Sequence, residues 1–406
     1  MTVHEPNEPT RVVPQSAIAD RLRRNAFQQA LRLIERLLAA RPEDAALLVA
    51  KGRLLSDLGN HPEAIAIFRQ AIERDPSLVP AYEEFAHTLL ELNAAEPALE
   101  ILERSLTQYS KSARALALKG QALGQLGHNE TALAMLDEAL KLDPNNAYAL
   151  GTKGHVLEAL GRKEEAIVAL KQATQLEPDL AWAQIELVNL LGRAEQFEQA
   201  YEVAEKAIQA NPANTELLGL KGELLRWLGR NEEALGVLDE VLSLDPNNAY
   251  SFTIKGIVLR RLGRYDEAIM VQQQATQLDP SRERAQTELI ELLGERGDYQ
   301  QGLEVADKAL QTIPLSSRLL ASKAETLRRL SRNEEALATL EEALKLDPDY
   351  AYALGIKGHV LEALGQRHEA ITILQQATQL EPDLAWLQIE LVSLLGEAAL
   401  YEQGLE

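Results

Sequence analysis

The chain repeats itself in strict register. The segment KLDPNNAYALGTKGHVLEAL at 141–160 returns as KLDPDYAYALGIKGHVLEAL at 345–364, identical at 17 of 20 positions. A third version, SLDPNNAYSFTIKGIVLRRL at 243–262, matches the first at 12 of 20. Successive copies start 102 residues apart, with no insertion or deletion. A finer grid lies beneath. Pro42, Pro76, Pro144, Pro178, Pro212, Pro246, Pro280, Pro314, Pro348 and Pro382 share one 34-residue spacing, interrupted by Ser110. Twelve residues before this grid stand Ala30, Ala64, Ala98, Ala132, Ala166, Ala200, Ala234, Ala268, Ala336 and Ala370, with Gly302 and Gly404 in place of alanine.

Each prolyl ring disfavours helix at the residue before it and lacks an N–H, so every proline ends a helix. The small residues let two helices cross closely. Between prolines the pattern reads as two amphipathic helices. In 147–180, Leu150, Gly154, Leu157 and Leu160 mark one face, Gly161 interrupts, and Ala166, Ile167, Leu170 and Ala173 form a second stripe. No useful length alternates with period two, so no strand is expected. A stacked solenoid demands this register, because one insertion would displace every later helix.

Among the 406 residues, 46% are hydrophobic and 25% charged, as in an ordinary folded chain. A net charge of −21 argues against general attraction to nucleic acid, which needs a basic surface. The absence of cysteine excludes disulfides and thiolate chemistry. No apolar run approaches the ~18 residues of a membrane span. The start, MTVHEPNEPTRVVPQS, has no basic segment followed by an apolar one. Residues 1–15 read as a disordered tail, and the chain as cytoplasmic.

Leu150, Gly154, Leu157, Ala166, Leu170, Ala173 and Pro178 resemble the tetratricopeptide repeat, a 34-residue helix–turn–helix unit. The resemblance runs from 11 to 406, with eleven units and a partial twelfth, starting near 11, 45, 79, 113, 147, 181, 215, 249, 283, 317, 351 and 385. It implies an all-α fold, a right-handed α-α superhelix, continuous over 16–406. The first helix of unit one, Arg11–Arg24, is weakly apolar and carries Pro14, so fraying is expected there. Lysine stands at the seventh position as Lys51, Lys119, Lys153, Lys221, Lys255, Lys323 and Lys357, and reads as a packed stem under a surfaced ammonium.

Every third unit lacks the Lys-Gly pair and carries Phe85-Ala86, Leu187-Val188, Leu289-Ile290 or Leu391-Val392. Sixteen residues later a compensation appears in two of them. Gly154 goes with Leu170 and Gly222 with Leu238, whereas Val188 goes with Ala204 and Ile290 with Ala306. Exchanging small/large for large/small conserves volume. The repeat therefore reads as copied in triplets.

Catalytic motifs are missing from the sequence: no phosphate loop, H-E-x-x-H or G-x-S-x-G occurs, and no sheet is expected to mount one. Histidines are scattered, with His155 and His359 copies of one site, so no metal and no cofactor is expected. Function falls to the surface. The resemblance implies that unit positions 2, 5, 9, 12 and 13 of the first helices line a concave groove. Position 2 holds Tyr148, Trp182, Tyr250, Tyr352 and Trp386, aromatics suited to anchor an interface or to pack on the preceding unit. Positions 12 and 13 hold Arg226, Trp227, Arg260, Arg261, Arg328 and Arg329. These arginines read as a basic strip for an acidic or C-terminal carboxylate peptide, or as a solvated face with local salt bridges. The family's carboxylate clamp is absent: position 5 holds Val49, Glu83, Ala117, Gly151 and Ile185, and position 6 has no asparagine.

The expected function is a non-catalytic scaffold binding a protein or peptide, without nucleic acid or membrane. Two alternatives rest on the ending ALYEQGLE, read as the start of a second helix. One is the recognition arm of a larger enzyme or signalling protein. The other is end-to-end self-association.

Overall fold

The computed structural model describes residues 15–108 and 112–403. The expected tail, Pro14, Ser110 and Gly404 lie outside them, apart from Gln15, which opens the first helix. Among the described residues there are helices and turns and no strand. None of these helices is long and apolar enough to cross a membrane.

By its internal contacts the chain divides into two bodies, 1–228 and 229–406. In the first, α1 (Gln15–Ala40) precedes α2 (Ala45–Asp57), α3 (His61–Arg74), α4 (Val79–Glu91), α5 (Ala95–Gln108), α6 (Ala113–Gln125) and α7 (Asn129–Leu142). It continues with α8 (Ala147–Ala159), α9 (Lys163–Leu176), α10 (Ala181–Arg193), α11 (Phe197–Ala210) and α12 (Thr215–Trp227). The second body runs α13 (Asn231–Leu244), α14 (Ala249–Arg261), α15 (Tyr265–Leu278), α16 (Glu283–Glu295), α17 (Tyr299–Thr312) and α18 (Ser317–Arg329). It closes with α19 (Asn333–Leu346), α20 (Ala351–Ala363), α21 (Arg367–Leu380) and α22 (Ala385–Gln403). Within each body, first helices of 13 residues alternate with second helices of 14. Each packs on its chain neighbours, and α4, α6 and α8 also touch in series.

The turn inside each unit is built on its fifteenth residue, which takes a left-handed backbone. Seven glycines do so, Gly161 with φ 74° among them, as do Asn93, Glu195 and Ser331 with φ 56°, 56° and 59°. Two elements depart from the expected helix pairs. The first unit is one helix of 26 residues, α1, and the last stretch is one helix of 19 residues, α22. The turn position holds Asn25 and Ala399 there, and both helices run through it; Asn93 makes the left-handed turn in its own unit, so the residue type alone does not set the outcome. ALYEQGLE therefore extends a first helix as far as Gln403, not opening a second, with the remaining residues outside those described.

The triplet has a structural basis in how helices start. Asp44, Ser112, Asn146, Asn214, Asn248 and Ser316 cap theirs through side chains that accept a backbone N–H of the first turn. The third-unit helices α4, α10 and α16 follow Leu78, Leu180 and Arg282 and have no such cap. There the fourth helical residue reaches back to the proline carbonyl. Tyr82 Oη donates to Pro76 O at 2.9 Å, Gln286 Nε2 to Pro280 O at 3.2 Å, and Gln388 Nε2 to Pro382 O at 2.6 Å, with Gln184 bonded likewise to Pro178.

The core follows the alanine grid. Ala64, Ala98, Ala132, Ala166, Ala200, Ala234, Ala268, Ala336 and Ala370 are fully buried. An ideal Cβ on Gly120 would stand 3.2 Å from the backbone oxygen of Ala132, so the helices do cross closely there. The volume pairing also holds in space: a Cβ on Gly154 would lie 2.5 Å from Leu170 Cγ, and Val188 shares a buried cluster with Ala204, as Ile290 does with Ala306. The seventh-position lysines pack as expected, but their ammonium groups have partners. Lys51, Lys119, Lys153, Lys221, Lys255 and Lys323 pair with Glu35, Glu103, Asp137, Glu205, Asp239 and Asp307, each sixteen residues earlier. A ladder of ion pairs thus joins each of these units to the one before.

Candidate partner-binding faces

In the first body, Tyr148 and Trp182 meet edge to face, with centroids 5.9 Å apart and planes at 71°. Trp182 lies over Gly151, where a Cβ would come 2.5 Å from its ring, so glycine at position 5 makes room for the next unit's indole. His87, Gln121, His155 and Glu186 complete a pocket of about 270 Å³ around the pair. Tyr148 donates to Gln121, and burial pushes its phenol above the usual range. His155 Nδ1 stands 3.5 Å from Glu186. The hydrogen bond to Glu186 raises the imidazole above its ordinary value and lowers the carboxylate.

Arg226 and Trp227 lie at the end of α12. Arg226 is buried, pairs with Glu223 at 3.3 Å, and stacks 4.0 Å over the Trp227 ring. Trp227 is 49% exposed and parallel to Phe197 at 5.3 Å.

In the second body, Arg260, Arg329 and Tyr352 line a pocket of about 490 Å³ with Glu291, Glu295, Tyr299 and Glu325. Arg260 donates to Glu288 at 3.0 Å, Glu291 at 2.8 Å and Glu295 at 3.0 Å, so one guanidinium gathers three carboxylates of α16. Burial and the neighbouring Glu291 push Glu288 above the usual carboxylate range. Arg328 grips Glu325 through two bonds of 2.7 and 2.8 Å, and Arg329 adds a third of 2.7 Å. Burial alone would raise Glu325, but the two arginines hold it below its ordinary value. Tyr352 also meets Trp386, repeating the Tyr148–Trp182 geometry at 6.0 Å and 73°. Trp386 also stacks on His359 at 5.8 Å. Arg261 is exposed on the same helix as Arg260, outside the pocket, and Tyr250 sits apart from it beside Arg282.

The structure thus gathers Arg260, Arg328, Arg329, Tyr352 and Trp386 into one neighbourhood, and separately pairs Tyr148 with Trp182 and Arg226 with Trp227. The glutamates that hold Arg260 were not legible, since they stand 28 to 35 residues from it, a distance at which no local pattern points. Glu223 and Glu325 stand only three or four residues from their arginines, an ordinary helical spacing. One signal was available: the sixth position of each third unit is Glu84, Glu186, Glu288 or Glu390, and a base from another helix meets each one.

Two-helix units stepped by 34 residues within each body define a helical-repeat protein. The chain belongs to the tetratricopeptide repeat family. One family model of that description matches 55–122, 125–191, 193–255 and 327–395, and others match 19–78 and 249–282. Among solved structures the chain is similar to yeast Tom70, at 17% identity and TM-score 0.54, with 94% of each chain covered. It is also similar to a tetratricopeptide repeat protein from Parabacteroides merdae, at 18% identity and TM-score 0.50, covering 61% of this chain and 98% of that one. At such identities the likeness is one of fold. No curated protein sequence matches the chain.

Proposed function

We propose that the chain is a non-catalytic interaction scaffold, and that a partner protein or peptide binds on the first helices of its repeats. Family membership supports protein interaction in general. The finer reading rests on the Arg260 pocket. Its guanidinium already holds three carboxylates, and a carboxylate from a partner, on an acidic side chain or a C-terminus, is what the same fork takes in exchange. Tyr299 and Tyr352 add aromatic surface to the same pocket. In the first body, the half-exposed Trp227 and the Tyr148–Trp182 pocket are further anchors.

The test is binding of a labelled acidic peptide by fluorescence anisotropy. Affinity should fall steeply with salt, since the Debye length shortens to ~8 Å at physiological ionic strength. Replacing Arg260 and Arg261 together with Glu should abolish binding while the helical circular dichroism signal stays. Undiminished binding to that variant would remove the arginines from the site.

A second reading is favoured by α22. Val392 is 69% exposed and Leu395 42%, whereas their counterparts in α10, Val188 and Leu191, are buried in a cluster with residues of α11. A second copy of this chain covering that face would give end-to-end association. Light scattering should then show mass rising with concentration and Val392→Asp holding the chain monomeric. A constant monomer mass dismisses the reading.

A further inference from the structure

The second body contains a cluster of metal-ligating side chains that the groove reading leaves unused. His359 and Glu362 lie one turn apart on α20, and Glu390 comes from α22. One donor atom of each lies within 4.8 Å of the other two, and all three side chains are half-buried. His359 Nδ1 is 3.1 Å from Glu390, and its ring lies flat against Trp386 with only 6° between the planes. The imidazole is therefore held by an indole on its face and directed at a carboxylate on its edge.

The first body provides an internal comparison. His155, Glu158 and Glu186 occupy the same repeat positions, 204 residues earlier. There Arg193 binds Glu158 at 2.5 Å, and His155 stands further from its glutamate and more exposed, at 61% against 25% for His359. A guanidinium in that place occupies a carboxylate and repels a cation. The residue that corresponds to Arg193 in the second body is Glu397. One copy of the constellation thus has a built-in positive charge, and the other has a negative residue at that repeat position.

We propose that His359, Glu362 and Glu390 form a binding site for a divalent transition cation of the zinc class. An imidazole nitrogen with two carboxylate oxygens is a donor set for zinc, cobalt or nickel, and it disfavours calcium and magnesium, which prefer oxygen throughout. A tetrahedral ion with bonds of about 2 Å needs its donors roughly 3.3 Å apart, so an ion would draw in donors that now lie within 4.8 Å of one another. Arg328 and Arg329, two cations near His359, are themselves engaged by Glu325. The fourth position is left to water.

The experiment is calorimetric titration of the full chain, stripped with chelator, with zinc chloride, repeated with cobalt for its visible absorption. One equivalent should bind, with the intense visible bands of four-coordinate cobalt. His359→Ala and the nearly isosteric Glu362→Gln should each weaken binding tenfold or more, with circular dichroism reporting that both remain folded. Glu397→Arg, which puts arginine at the repeat position that Arg193 holds in the first body, should abolish the site. Arg193→Glu should add a second equivalent. No zinc uptake by the wild-type chain, uptake indifferent to Glu362→Gln or Glu397→Arg, or no gain in Arg193→Glu would overturn the assignment.

Discussion

A β-carbon on Gly154 would come 2.5 Å from Leu170 Cγ, and the same contact recurs as Gly120 with Leu136 and Gly358 with Leu374. Two atoms cannot share that space, so Gly154→Val should overpack the crossing and cost roughly 1–3 kcal/mol. Leu170→Ala alone opens a cavity and should cost about 2–5 kcal/mol. Together they should cost less than the sum, because each relieves the other's fault, as Val188 and Ala204 do one unit later. Urea denaturation of the three variants measures this, and simple additivity would mean the two residues do not compete for one space. The pairing was legible in the sequence because volume is conserved at a fixed offset of sixteen. Gln272 was not legible. It fills the leucine slot opposite Gly256 with no exposed surface, and its amide donates to Ala285 O at 3.4 Å. Glutamine is close to leucine in size, so the volume pairing holds there as well, but a volume rule says nothing about a polar side chain filling a fully buried slot.

At the scale of the element, each unit turns at one residue with positive φ. Glycine meets that demand without strain, whereas Glu195, at φ 56°, carries a Cβ that crowds the neighbouring carbonyl. Glu195→Gly should therefore stabilise the turn between α10 and α11 by about 1 kcal/mol, and Gly161→Val in the preceding unit should destabilise its own by at least as much. Thermal midpoints of the two variants should move in opposite directions. A fall in both would mean that contacts of Glu195 outweigh backbone strain. Helix starts and stops were legible because they are local: a proline, a glycine or a capping Asn acts on the chain within four residues. The two long helices show the limit. At Asn25 and Ala399 the repeat count predicts a turn, but α1 and α22 run through both positions. Asn93 turns where Asn25 does not, so the residue at that position does not by itself decide the conformation.

At the scale of the whole molecule, the balance lies between a net charge of −21 and the ion pairs that join repeats. The six lysine pairs are partly exposed, with lysine side chains 17–28% accessible, and each contributes about 0–1 kcal/mol. The Lys119, Lys153, Lys255 and Lys323 pairs have contact distances of 2.5–3.1 Å, within even the ~3 Å Debye length of 1 M salt. The excess negative charge is spread over 62 acidic residues and acts over longer distances, where screening is effective. Raising salt from about 10 mM to 150 mM shortens the Debye length from ~30 Å to ~8 Å. It therefore removes much of the repulsion and leaves the contact pairs nearly intact. The sign follows: the urea midpoint should rise with sodium chloride over this range, while binding of an acidic peptide at the Arg260 pocket falls. If the midpoint falls as well, the ladder outweighs the repulsion. Replacing Lys153 and Lys255 with Met should then cost far more than the pairwise figure allows.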